Sequence, residues 1–383
     1  MSRIVLYVLA FFIFIHGMIH LMGFVAYWPL AEIGELPYKT TLLGGRWDLG
    51  SAGMRIYILL WLAAALIFGA TVVGLVTQQA WWWPLMWVAV LLSLLICILD
   101  WGNAFRGAII SGVILLGLIV LLGLRVQPAL LASYPQQSPA LATMAIPGDL
   151  PVPVARYYET IVDEELPLVE TAVISGRGTL RFNGIPFPAQ YRLVHDVGHD
   201  YRQYFTATYF GRPLMAADER YIDGRATLDT PMGLVENDPM ADSAANQALW
   251  GIAMMMPSAY LDDSRVRWEA IDEYTARLIV PFGAEEQEFT VNFDPDTGLI
   301  AGMDTLRYYD AQQGKRGWHL EGDDWQSMHG FVVPRQWSIT WEGDETPWLV
   351  GGVEEMEFNV DVAAYLAAGE ESLAGKTVPA NGN

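Results

Sequence analysis

The sequence predicts a membrane α-helical part of four transmembrane helices joined to an α+β soluble domain. The soluble domain is expected as a large curved antiparallel sheet or open half-barrel enclosing an apolar helix. Three observations predict this. The first 125 residues hold four long apolar runs with few charges. From Leu150 onward the hydrophobic period falls to two. One stretch near residue 250 is apolar at helical spacing and carries no charge.

The apolar runs are Ile4–Phe24, Ile56–Val76, Pro84–Leu99 and Ala108–Leu124. A helix needs about 20 apolar residues to cross a bilayer, somewhat fewer when its ends snorkel. The first run has a basic start like a signal peptide, but it lacks a small-residue cleavage site and three more runs follow, so it reads as a span. Trp81, Trp82, Trp83, Trp87 and Trp101 stand near span ends, where indole rings favour the membrane interface. After Arg125 the composition changes abruptly to Gln127-Pro128, Tyr134-Pro135, Ser138-Pro139, Pro147-Gly148-Asp149 and Pro151-Val152-Pro153. Repeated prolines cannot continue a helix and favour extended chain. The expected organisation is therefore a transmembrane domain over 1–125, a proline-rich tether over 126–153, a β-rich domain over 154–362 and a tail over 363–383.

Charge is divided unevenly. Up to Arg125 there are six Lys/Arg and four Asp/Glu, which leaves 16 Lys/Arg and 39 Asp/Glu beyond it. So acidic a domain is repelled by nucleic-acid phosphates and anionic headgroups, which excludes nucleic acid as an expected partner. Four spans place both ends of the helical part on one side, with Arg3 and Arg125. Lys39, Arg46, Arg55 and Arg106 fall on the other, which the positive-inside bias makes cytoplasmic. The expected location is the cytoplasmic (inner) membrane, multi-pass, with the soluble domain extracytoplasmic. Cys97 is the only cysteine, so no disulfide framework exists.

In the soluble half, Tyr201, Gln203, Phe205, Ala207 and Tyr209 alternate with polar residues, as do Phe289, Val291 and Phe293, and Trp337, Ile339 and Trp341. Such alternation marks antiparallel strands with one buried face. Asn183-Gly184, Asp223-Gly224 and Asp294-Pro295-Asp296 supply turns between them, giving ten to twelve strands in meander order. So many strands rarely stay flat. Asp242-Ser243 reads as an N-cap, and Ala244–Met256 follows without a charge until Pro257. A helix apolar on nearly all sides must be buried, and the concave face of the sheet is the natural place.

Candidate chemistry is sparse. His16 and His20 share one helix face, and Asp100 emerges at the same membrane surface as His20. Two imidazoles and a carboxylate can hold a metal ion. The bland alternative is that the histidines bond neighbouring helices while Asp100 pairs with Arg106. A haem fits poorly, because histidines one turn apart cannot take opposite axial positions. On the soluble side, Trp250, Met254, Met255, Trp337 and Trp341 are candidate walls of an apolar ligand cavity, or equally ordinary core. His195-Asp196 and His199-Asp200 flank a glycine turn and read as a solvated hairpin tip. Trp268-Glu269 and Asp272-Glu273 lie around a strand turn without a nucleophile. Trp318-His319 and Met328-His329 bracket an acidic loop, Glu321–Asp324. No nucleophile elbow, phosphate-binding glycine loop or metalloprotease helix motif occurs.

His16-Gly17-Met18-Ile19-His20-Leu21-Met22-Gly23-Phe24 resembles the opening of an uncharacterised group of bacterial proteins with a four-span N-terminal module. The soluble half is similar to that group's domain of unknown function. The likeness runs through Leu249-Trp250, Pro257-Ser258-Ala259-Tyr260-Leu261, Val266–Asp272, Thr275-Ala276-Arg277, Phe293-Asp294, Gly298-Leu299, Arg307, Gly330-Phe331, Pro334 and Trp341. It implies no activity and no catalytic residues. More loosely, the order of strands, helix and strands resembles periplasmic lipoprotein-carrier half-barrels, a fold-level analogy.

The sequence thus leads to a non-catalytic, membrane-anchored β-domain that binds a lipid, another apolar molecule or an envelope protein. Two alternatives stay open: an accessory subunit of a larger membrane complex, and a metal-dependent membrane oxidoreductase using the His16/His20 pair.

Overall fold

A computed structural model describes residues 3–31, 33, 37–310 and 313–367, so the expected tail lies outside the described residues from position 368. The chain forms two compact units, Met1–Leu122 and Gly123–Asn383.

The first unit is built from α1 (Arg3–Tyr27), α2 (Gly50–Val76), α3 (Trp82–Leu99) and α4 (Trp101–Gly123). All four are long and apolar enough to cross a membrane. Small residues let α1 approach α2 closely. A Cβ on Gly17 would lie 2.5 Å from the Phe68 side chain, and one on Gly23 2.4 Å from Trp61. The last helix starts at Trp101 rather than Ala108, so Arg106 is helical and not in a loop. Nothing between Trp101 and Ala108 breaks a helix, and the Asp100 carbonyl accepts from the Asn103 and Ala104 N–H groups at 3.0 and 2.9 Å.

The second unit is organised by one open antiparallel sheet of 13 strands. The first limb is β1 (Thr171–Phe182), β2 (Ile185–Asp196), β3 (Asp200–Tyr209), β4 (Arg212–Ile222), β5 (Arg225–Thr230) and β6 (Gly233–Glu236). The second is β7 (Arg267–Ala270), β8 (Thr275–Phe282), β9 (Glu285–Phe293), β10 (Ile300–Asp310), β11 (Gly314–Met328), β12 (Phe331–Trp341) and β13 (Leu349–Phe358). Each limb is a meander, and β1 pairs with β13 to join them, so β6 and β7 are the two edges. Asn183-Gly184 and Asp223-Gly224 turn two hairpins with all four residues at positive φ, as two-residue type I′ connections require. The acidic stretch Glu321–Asp324, expected as a loop, lies inside the 15-residue β11.

Alternation fails where both faces of the sheet are covered. On the outer face of β1 to β4, Tyr134, Val173, Val194, Tyr204, Ala216, Val360, Val362 and Tyr365 form a second small core. The proline-rich segment supplies part of this cover. Tyr134 N donates to the Glu355 carboxylate (3.0 Å) and Ser138 N to Glu357 Oε2 (2.6 Å), along β13. Residues expected as a stiff proline-rich tether are laid onto the sheet.

Between the edges runs α6 (Pro239–Ile252), continued by a 3-10 turn, Ala253–Met255; the shorter α5 (Val152–Ile161) precedes the sheet. The start of α6 lies earlier than the sequence predicts. Asp238 is the N-cap and its side chain accepts from Met240 N at 2.8 Å, while Pro239, pre-set for the first helical position, begins the helix. Asp242 and Ser243 are interior and buried. The concave face is filled by α5, α6 and the 3-10 turn, with Trp250, Met254 and Met255 in the same core as Trp318, Trp337 and Trp341.

The two limbs approach closely where glycines permit it. A Cβ on Gly176 of β1 would lie 1.9 Å from the Gly352 carbonyl oxygen of β13 and 2.8 Å from Tyr191 Oη. Gly176→Ala is therefore expected to cost about 3 kcal/mol, seen as a lowered thermal midpoint of the β-sheet circular-dichroism signal of the full chain. An unchanged midpoint would contradict this close approach.

Candidate functional site

In the helical unit the two histidines belong to a neutral hydrogen-bonded chain. His20 Nδ1 donates to the His16 carbonyl at 2.9 Å, which leaves Nε2 to accept from Ser93 Oγ at 2.7 Å. Ser111 Oγ then donates to Ser93 Oγ at 2.6 Å, and His16 Nε2 donates to Ser111 Oγ at 2.9 Å. One consistent set of tautomers satisfies every link. Phe68 and Trp61 of α2 pack against the imidazoles, with ring centroids 5.1 Å (Phe68–His16) and 5.5 Å (Trp61–His20) apart. Asp100 is held elsewhere, by the Tyr27 hydroxyl and the Lys39 ammonium, and Asn103 Nδ2 donates to Tyr27 Oη at 3.1 Å. Its cation is Lys39 and not Arg106, whose guanidinium lies over the Phe105 ring. Among the described residues no three His, Cys, Asp or Glu side chains converge as a metal set, so His16 and His20 are brought together and Asp100 is not.

In the β-unit the five candidate wall residues, Trp250, Met254, Met255, Trp337 and Trp341, are buried in one cluster on the concave face. Trp337 Nε1 donates to Tyr191 Oη at 3.1 Å. Trp341 packs against Tyr309 at 5.0 Å, and the Arg307 guanidinium lies 5.2 and 5.8 Å from the Trp318 and Trp341 rings. Trp250 Nε1 and Trp318 Nε1 find no hydrogen-bond partner among the described residues. Two surface depressions, of 790 and 450 Å³, are lined mostly by polar residues, and none of the five candidates is among their lining residues.

What holds the concave face together escaped the sequence reading. Asp242, Ser243, Asn246 and Gln247 form a buried polar face on α6. Asp242 accepts from Ala226 N at 2.7 Å and Arg225 Nη1 at 2.9 Å on β5. Asn246 accepts from Tyr221 Oη on β4 (3.1 Å) and donates to the Pro281 carbonyl on β8 (3.0 Å) and Gln287 Oε1 on β9 (2.8 Å). Gln247 Nε2 donates to Thr305 Oγ1 and the Leu306 carbonyl on β10, at 2.9 and 3.0 Å. One helix therefore ties both limbs. Asn246 and Gln247 in an otherwise apolar helix were the signal that could have revealed it.

Two further histidines differ from expectation. His195 is fully buried and stacks on Tyr201 at 5.4 Å, whereas His199 is the exposed residue of that hairpin. Strand β2 points His195 into the core, so the pair is not a solvated tip. Neither ring nitrogen of His195 has a partner among the described residues, and burial pushes its pKa down to about 3. On the outer face His319 bridges Asp304 (2.7 Å) and Glu321 (3.1 Å), which raise its pKa to about 9, the Asp304 hydrogen bond contributing most. Asn292 extends the chain through Asp304 at 2.9 Å and Ser338 through Glu321 at 3.1 Å, so four adjacent strands are linked.

These two histidines predict opposite pH effects. For His195 the folded pKa lies below the unfolded value of 6.5, so its contribution is intact above 6.5 and erodes as pH falls toward 3. The loss amounts to about 1.4 kcal/mol per pH unit. Chemical denaturation at pH 7.5 and 5 should show the native chain losing about 2 kcal/mol more than His195→Phe; equal losses would refute the buried neutral ring. For His319 the folded pKa is above the unfolded value, so its contribution is complete below 6.5 and fades as pH rises through about 9. Proton NMR titration of its ring should give a midpoint near 9 that falls on Asp304→Asn, and a midpoint near 6.5 in the native chain would refute the bridge.

No curated protein matches this chain. Among solved structures it is similar to a DUF1329 family protein from Desulfovibrio piger ATCC 29098, with 13% identity and a TM-score of 0.33 over 56% of this chain and 94% of that one. It is also similar to a LolA superfamily protein from Nitrosomonas europaea, with 9% identity and a TM-score of 0.35 over 54% of this chain and 92% of that one. The sequence profile of a family of unknown function, DUF6544, matches residues 140–351, from the segment ahead of α5 to the start of β13, and the chain belongs to that family.

Proposed function

We propose that this protein is a non-catalytic, membrane-anchored binding protein whose β-unit takes up a lipid or other apolar molecule on its concave face, on the extracytoplasmic side of the cytoplasmic membrane. The observation that carries the reading is the way the concave face is covered. It is an apolar surface from β1 to β13, and what covers it is short helical segments and one two-residue strand pair, Thr143–Met144 with Leu166–Pro167, rather than a second full sheet. The longest of these, α6, is fastened to the limbs through side-chain amides and carboxylates as well as through its apolar side chains. Moving one such helix exposes the surface without unpairing any strand.

The side chains that would meet the ligand suit it. Met254, Met255 and Met256 are unbranched and polarizable, and thus able to repack around an irregular apolar partner. Trp250, Trp337 and Trp341 provide broad rigid walls, and Arg307 lies over the Trp341 ring where the polar end of an amphiphile would sit. The four apolar helices supply the anchor, and Lys39 and Arg46 between α1 and α2, Arg55 in the first turns of α2 and Arg106 in the first turns of α4 gather at one end of the spans and support the orientation.

A photoactivatable fatty acid, cross-linked to the detergent-solubilised full chain and mapped by mass spectrometry, tests the proposal. Adducts are expected on peptides spanning 239–260 and 331–341, and Met254→Glu should reduce them about tenfold by placing a charge on the concave face. Adducts confined to α1–α4 would overturn it.

A further inference from the structure

The sheet is split on its second limb. Hairpins β8–β9 and β10–β11 are paired along their lengths, but the register between them joins only Thr290–Phe293 to Ile300–Asp304. Glu285–Phe289 and Thr305–Asp310 share no register partner, and a slot of 790 Å³ opens where the hairpins diverge.

Gln247 of α6 lines the slot and is only 3% exposed. Its Nε2 donates to Thr305 Oγ1 and the Leu306 carbonyl. This fixes the amide, because a flip would set oxygen against a carbonyl. Oε1 is therefore a buried acceptor with no partner among the described residues. Around it the slot carries the carboxylates of Glu286, Glu288, Asp304 and Glu342 against two cations, Lys315 and His319. The cations are engaged: His319 bridges Asp304 and Glu321, and the Lys315 ammonium lies over the Tyr308 ring. Glu286 is held by Arg267. Glu288 is 3.4 Å from Arg277 Nε and largely exposed, and the Glu342 carboxylate accepts only a long 3.3 Å bond from Gly317 N. The slot thus has more acceptors than donors, and the deepest of them is unmet.

We infer that this slot binds an alkylammonium group, with Gln247 Oε1 at its base and the carboxylates of Glu288 and Glu342 on its walls. An ammonium offers three donors and no acceptor, which suits one neutral oxygen and two carboxylates. An anion would be repelled, and a neutral polyol would gain nothing from the carboxylates. The group can come from a free linear polyamine or from the ethanolamine headgroup of a phospholipid. The inference rests on the slot's own residues and not on the proposed uptake of an apolar molecule.

Isothermal titration of the full chain in non-ionic detergent, with spermidine in one arm and glycerophosphoethanolamine in the other, tests the inference. Saturable binding of one equivalent is expected, and the arm that binds names the source. Gln247→Met, Glu288→Gln and Glu342→Gln should each weaken it about tenfold, the loss of roughly one charge-assisted bond. The two surface carboxylate variants leave the packing of α6 intact, so they decide the matter if Gln247→Met does not fold. No saturable binding in either arm would overturn the inference. So would binding that the Glu288 and Glu342 variants do not weaken, because that would be diffuse attraction to an acidic protein.

Discussion

The β-unit depends on the buried polar face of α6. A 13-stranded sheet that curves without closing has two edges that strand pairing cannot fix relative to each other. Here strands near both edges are tied together by side chains of a single helix, with Asp242 holding β5, Asn246 spanning β4, β8 and β9, and Gln247 holding β10. Every one of these groups is buried, where a polar atom that loses its partner costs about 1–3 kcal/mol. Removal of one side chain therefore strands a donor or acceptor on the sheet as well as on the helix. The geometry of the concave face, and of the split between β9 and β10, follows from this bridge.

The same sheet has two different outer surfaces. Over β1 to β4 it is covered, so Arg192 and Arg202 are buried charges on what a one-faced sheet would leave in water. Their burial is tolerable because it is paired: Arg202 forms a two-oxygen contact with Asp218, and Arg192 donates to Ser175 Oγ, Tyr365 Oη and the Ala132 carbonyl. Over β7 to β11 the outer face is open and carries exposed pairs such as Arg267–Glu286 and Arg277–Glu288, each worth little individually. The open half is where the hairpins diverge.

The general architecture was readable because it rests on periodicity. Apolar runs too long for a globular helix, strands alternating at period two and asparagine–glycine or aspartate–glycine turns are local signals, and tertiary packing reinforced them. What could not be read depends on partners far along the chain. His195 looks like a turn residue until β1, β3 and Tyr201 enclose it. His319, Asp304 and Glu321 are dispersed in sequence and meet only through the β10–β11 register. Asp242 passes for an N-cap by residue type, and only the cap formed by Asp238 with Pro239 at the first position shows it to be interior. The His16/His20 pair was visible from its spacing. The serines that bond it, Ser93 and Ser111, come from two other helices and have no pattern of their own.

Gln247 places the two proposals in one thermodynamic cycle. Its Nε2 holds α6 to β10, and its unpartnered Oε1 is the proposed base of the ammonium site, so that site exists only while the helix is lodged. An ammonium bound at that oxygen favours the lodged state. An apolar molecule that enters by displacing α6 removes the same oxygen from the slot. Linkage requires the effect to be reciprocal: whatever factor the ammonium takes from the affinity of the apolar ligand, that ligand takes from the affinity of the ammonium. The cost of displacement is also reduced on the side of the core. Trp250 Nε1, Trp318 Nε1 and both nitrogens of His195 have no partners among the described residues while the helix is in place, and groups that gain hydrogen bonds when a core opens favour its opening. The segment that closes the half-barrel is thus held by its polar face as well as by its buried apolar side chains, and the residue shared with the slot is where the polar part of that hold is open to control.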